Sequence, residues 1–91
     1  MAIIVHVKPA AMSATLYNET ITRLEAAGAG RFPGRTHHFC YGTDDRRMVT
    51  DIFDSMESFQ AFGQILIPIL KELGIDPNEP EIHEIQNTII L

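Results

Sequence analysis

Ninety-one residues, 45% of them hydrophobic and carrying a net charge of −5, describe one small folded domain and exclude a disordered tail. Seven Lys and Arg against twelve Asp and Glu leave no basic stripe for phosphate, so nucleic acid is not an expected partner. The single cysteine cannot close an internal disulfide, and the longest strictly apolar run, Ile65 to Leu70, is too short to cross a bilayer, so no membrane partner is expected. The N-terminus lacks a basic n-region and breaks its apolar run at His6, which does not fit a signal peptide; a cytoplasmic protein is expected.

Residues 2–8 are apolar on both parities and close at Pro9, which predicts a strand buried on both faces. Ser13 offers an N-cap for a first helix that spaces Leu16, Ile21, Leu24 and Ala27 helically. Gly28, Gly30, Pro33 and Gly34 predict a loop. A second strand is expected over 36–41, a turn at GTDD, and a third strand over 47–53. Asp54 followed by Glu57 resembles a capping box, opening a long helix that ends at Leu73 with Gly74 as its C′ residue. Within it, Pro68 removes one helical hydrogen bond, either opening space beneath the helix or only curving it. After the loop IDPNEP, a last strand is expected over 81–91.

The order β-α-β-β-α-β predicts an α+β ferredoxin-like protomer. Its antiparallel four-stranded sheet should have the first and third strands central and both helices on one face. The second helix carries Phe59, Phe62, Ile65, Leu66, Ile67, Ile69, Leu70 and Leu73, more apolar surface than one stripe needs. A domain this small buries only roughly 60% of its unfolded surface. Both observations predict a homodimer, with two sheets face to face as a dimeric α/β barrel.

The segment MVTDIFDSMESFQAFGQILIPILKELGI, with EIHEIQNTII after it, resembles the dimeric α/β barrel superfamily. That group holds antibiotic-biosynthesis-monooxygenase-like proteins, stress-responsive barrels and polyketide cyclases. The resemblance implies a ligand pocket between sheet and helices, and chemistry on an aromatic or polyketide-like molecule with no cofactor. The second helix has no histidine between Ser55 and Leu73, unlike the haem-degrading members. Phe53 stands where a tryptophan is common, a departure from the monooxygenase pattern.

Successive strand residues point to opposite faces, so His37 and His38 cannot ligate one metal within a chain, and no metal-ligand spacing accompanies them. No metal site is expected. Asp51 is a carboxylate in the middle of a central strand, which requires a partner or a retained proton. The resemblance places Val49, Asp51 and Phe53 on the pocket side. If the turn sets Cys40 near Val49, His38 shares the face of Asp51. The pair is then either a general base with its orienting carboxylate or a structural ion pair. His83 and Asn87 share a parity on the last strand, as cavity-lining contacts or as hydrogen-bonders in a dimer seam. Tyr17 and Tyr41 are phenol donors at the pocket rim or packing residues, His6 is expected on the sheet-sheet side, and Cys40 is a small core residue.

Two functions follow. One is a cofactor-independent monooxygenase or cyclase, with His38 as base, Asp51 as orienter, and Tyr17, Val49, Phe53, His83 and Asn87 contacting substrate. The other is a non-catalytic ligand-binding or structural homodimer. A cavity of about 300 Å³ or more beside Asp51 favours the enzyme. Asp51→Asn should leave folding nearly intact if Asp51 is catalytic.

Overall fold

The computed structural model describes residues 1–91. Six elements run β1 (Ile3–Val7), α1 (Ala14–Ala26), β2 (Arg35–Tyr41), β3 (Met48–Phe53), α2 (Met56–Glu72) and β4 (Glu81–Glu84). The sheet order is β2-β3-β1-β4, with every neighbouring pair antiparallel. This is the ferredoxin-like α+β arrangement that the element order predicts, with β1 and β3 central.

Register decides which side chains meet. Val5 lies opposite Asp51 on β3 and Ile82 on β4, and Ile3 opposite Phe53. Ile3, Val5 and Phe53 therefore share one face, where they pack with Leu24 of α1, Ala29 and Phe62 of α2. Both helices thus cover the same face. Period-two alternation turns Ile4, His6, Thr50 and Ile52 to the opposite, helix-free face. A second small core of Met12, Leu70 and Ile75 closes the far end of α2.

Ser13 caps α1 as its sequence position predicts, its Oγ accepting from the Leu16 amide at 3.2 Å. At α2 the cap falls one residue later than the Asp54 expectation. Ser55 adopts the extended cap conformation and its Oγ accepts from the Ser58 amide at 3.1 Å. Asp54 is still held by the strand, its amide donating to the Gly34 carbonyl at 2.8 Å. Its carboxylate instead accepts from the Ser55 and Ser58 hydroxyls. Pro68 lies inside α2 on an exposed position, as does Gln64, so the missing hydrogen bond falls on the solvent side.

The last strand is shorter than the expected 81–91. It stops at Glu84, with one further bond from the Ile85 amide to the Ala2 carbonyl.

Candidate functional site

Between the helices and the inner sheet face lies a cavity of about 180 Å³, with fourteen hydrophobic residues among its twenty-four lining positions. Tyr17, Thr20, Ile21 and Leu24 reach it from α1 at i, i+3, i+4 and i+7, the spacing that puts four side chains on one helix face. Val49, Asp51 and Phe53 reach it from β3 as alternate residues, and Val5 and Val7 from β1. Its polar end is built by Tyr17, Arg35, His38 and Asp51.

His38 stands directly opposite Asp51 across the β2–β3 ladder, and Cys40 opposite Val49. His38 Nδ1 is 2.5 Å from an Asp51 carboxylate oxygen. The Tyr17 hydroxyl is 2.7 Å from the other ring nitrogen, Nε2. The network assigns the tautomer: Asp51 accepts from Nδ1–H, which leaves the Nε2 lone pair to accept from the Tyr17 phenol. The two rings lie nearly parallel, at an interplanar angle of 5°. Carboxylate, imidazole and phenol thus form one chain along the cavity wall.

A fourth member carried no signal in the strand pattern. Arg35 Nη2 donates to both oxygens of Asp51, at 3.2 and 3.3 Å. Nη2 also approaches His38 Nδ1 at 2.8 Å, but a protonated Nδ1 has no lone pair, so Asp51 is the acceptor. Arg35 and His38 are three apart, which in a regular strand puts them on opposite faces. A one-residue shift of the ladder between Arg35 and His37 restores the common face, setting Arg35 against Phe53 and His37 against Ile52. The guanidinium carbon sits 4.5 Å from the Phe62 ring centre, which adds a cation–π contact to the ion pair. Its Nε is buried without a partner. Only such a register shift could have revealed Arg35, and no residue type marks one here.

Burial pushes the Tyr17 phenol above its ordinary range; the adjacent Cys40 adds to the effect and the Arg35 cation opposes it. Tyr17 therefore stays protonated and acts as a donor.

The remaining expectations divide. Val49 and Phe53 line the cavity; His83 and Asn87 do not. On β4 the residue matching inward Val5 is Ile82, so alternation turns His83, opposite Ile4, to the helix-free face. There it is exposed and bonds Glu81 at 3.0 Å. Asn87 is exposed beyond the end of the strand. Tyr41 is no rim donor either: it lies on the helix-free face, hydrogen-bonded with His6 and Thr50. His37 diverges from His38 and bonds the neighbouring Thr36 hydroxyl.

No protein-family model matches the chain, and no curated protein matches its sequence. Solved structures do match. SnoaB from Streptomyces nogalater, described as a cofactor-independent oxygenase, superposes with a TM-score of 0.69 at 15% identity, over 97% of this chain and 96% of that one. MupZ from Pseudomonas fluorescens gives 0.72 at 7% identity, over 93% and 73%. A Chloroflexus aurantiacus protein described as a candidate antibiotic biosynthesis monooxygenase gives 0.67 at 15%, over 98% and 97%. At such identities the likeness concerns the backbone and leaves the chemistry to the site's own residues. The chain has the fold of the antibiotic-biosynthesis-monooxygenase-like proteins.

Proposed function

We propose that this protein is a cofactor-independent enzyme that removes a proton from an acidic hydroxyl or methylene of a small aromatic molecule held in the helix-sheet cavity. The observation that carries the proposal is the Tyr17–His38–Asp51 chain, all three members of which line an otherwise apolar cavity. Substrate gives its proton to the Tyr17 oxygen as Tyr17 passes its own to His38 Nε2. No free phenolate accumulates, which suits a phenol whose ionisation is disfavoured. Asp51 holds the imidazole and stabilises the imidazolium that forms, and Arg35 keeps Asp51 in place.

The carbanion or phenolate so made has two outlets. As a monooxygenase, it reacts with dioxygen; a methylene becomes a carbonyl, one oxygen atom is incorporated and the other leaves as water, with no outside reductant. As a cyclase, it adds to a carbonyl of the same molecule. The oxygenase described among the structural neighbours favours the first.

Size narrows the substrate. At about 180 Å³ the cavity falls short of the roughly 300 Å³ named above as favouring the enzyme, and is close to the roughly 150 Å³ apolar void known to hold one benzene ring. It is nevertheless a space and not a filled interface, which favours a ligand over a purely structural role. One ring with a short substituent, or two fused rings, is the substrate class that fits.

His38→Ala should abolish turnover of such an acid while leaving the fold intact. Tyr17→Phe, which breaks the relay but keeps the ring, should lower kcat by roughly 10²-fold or more. In the wild-type enzyme, relay activity should persist up to pH of about 10 and fall only above it, since burial raises the Tyr17 pKa and the relay needs the phenol. The phenol's contribution to stability is likewise present below the ordinary tyrosine pKa and lost as pH rises through the raised one. Oxygen uptake and pH–rate profiles read these outcomes; full turnover in His38→Ala would remove the base.

A further inference from the structure

The second helix presents two rows of residues to the cavity. Phe59, Phe62, Leu66 and Leu70 form one row, and Phe62 and Leu70 in it are buried. Gln60, Gly63 and Ile67, at i, i+3 and i+7, form the other. Gln60 is exposed and Ile67 is 42% exposed, although both line the cavity. The cavity therefore meets solvent along this second row.

Gly63 sits in the middle of that row and has no local reason to be glycine. Its φ is not among the positive values that favour glycine. A Cβ built there meets no atom within 4 Å, so no neighbour forbids a side chain. Glycine in a helix interior is destabilising relative to alanine. Neither backbone, packing nor helix propensity accounts for it; what the missing side chain leaves is space at the cavity's edge.

We infer that Gly63 is a specificity-determining position of this cavity, whose bare backbone leaves room for the edge of a bound flat hydroxylated aromatic molecule. The inference rests on the proposed reading of the cavity as a site for a small aromatic acid, and it fixes which sizes of that class are admitted. Any side chain at 63 takes up space that the bound ligand would fill, with the strongest effect on the widest ligands.

Equilibrium binding of two probes, phenol and 1-naphthol, to wild type, Gly63→Ala and Gly63→Leu tests this, with circular dichroism and thermal melts on the same samples. Gly63→Ala should raise Tm, because alanine is the better helix former, and should weaken 1-naphthol binding. Gly63→Leu should keep the native spectrum and lose roughly tenfold or more in 1-naphthol affinity, the scale at which small steric changes act in a pocket. Phenol should lose much less in both. A lower Tm in Gly63→Ala would show glycine to be structurally required and overturn the inference. So would 1-naphthol binding that is absent in wild type or undiminished in folded Gly63→Leu. Binding is read without turnover, so an inactive relay would refute the base chemistry alone, and size-blind binding would refute the role of Gly63 alone.

Discussion

Arg35, with its side chain only 10% exposed, neutralises an Asp51 side chain that is 12% exposed and already faces a histidine. This changes what replacing Asp51 would do. With His38 as its only partner, Asp51→Asn would leave folding nearly intact. With Arg35 present, the same change strands a buried guanidinium whose Nε already lacks a partner, and breaking a buried pair in this way costs about 3 kcal/mol or more. Asp51→Asn and Arg35→Met should therefore each lower stability in denaturant titrations. The double variant should recover part of the loss, with a coupling of about 1–3 kcal/mol. Additive losses would show that the two groups do not share the pair. Loss of stability in Asp51→Asn alone consequently does not distinguish a catalytic from a structural carboxylate; the pH–rate profile and the Tyr17 variant do.

At the scale of elements, the β2–β3 ladder and the start of α2 are fastened together immediately before Arg35. Gly34 has a φ of +89°, and a Cβ there would collide with the Ser58 side chain and lie 2.7 Å from the Asp54 carboxylate. Its carbonyl accepts from the Asp54 amide. This glycine thus lets β2 enter the sheet tightly against the α2 cap, one residue ahead of the register shift that turns Arg35 inward. Gly34→Ala should cost about 1–3 kcal/mol from backbone strain alone, with the clash added. It should also reduce turnover by displacing Arg35 from Asp51. A stable, fully active Gly34→Ala protein would show that the junction adapts freely.

At the scale of the molecule, only twelve of ninety-one residues are buried. The helix-free face of the sheet presents Phe39 and Tyr41, 50% and 40% exposed, beside half-buried Ile4 and Ile52, and Ile89 to Leu91 extend beyond β4 without packing. That is the apolar surplus expected of a protomer that joins a second copy. We propose the face-to-face homodimer on this basis. Sedimentation at micromolar concentration should give twice the chain mass of 10.2 kDa. Phe39→Glu, on the far side of the sheet from the cavity, should shift it toward monomer, since a buried interface tolerates no unpaired charge. A wild-type monomer at that concentration would remove the barrel proposal.

Period and punctuation in the sequence determined the six elements, their order and the layer arrangement, because alternation, helical spacing and Gly or Pro stops act locally. They also determined that Asp51, an ionisable group in a central strand, needs a partner, and that His37 and His38 part company. Tertiary structure alone decided the rest. Strand register placed His38 against Asp51, the ladder shift brought Arg35 to the same face, and the packing of α1 set the Tyr17 phenol on the imidazole. Register likewise turned His83 away from the cavity, and β4 stopped short of Asn87. These outcomes depend on pairings between residues distant in sequence, where a shift of one position reverses every side chain. A linear pattern carries the period of a strand but not the partner that fixes its phase.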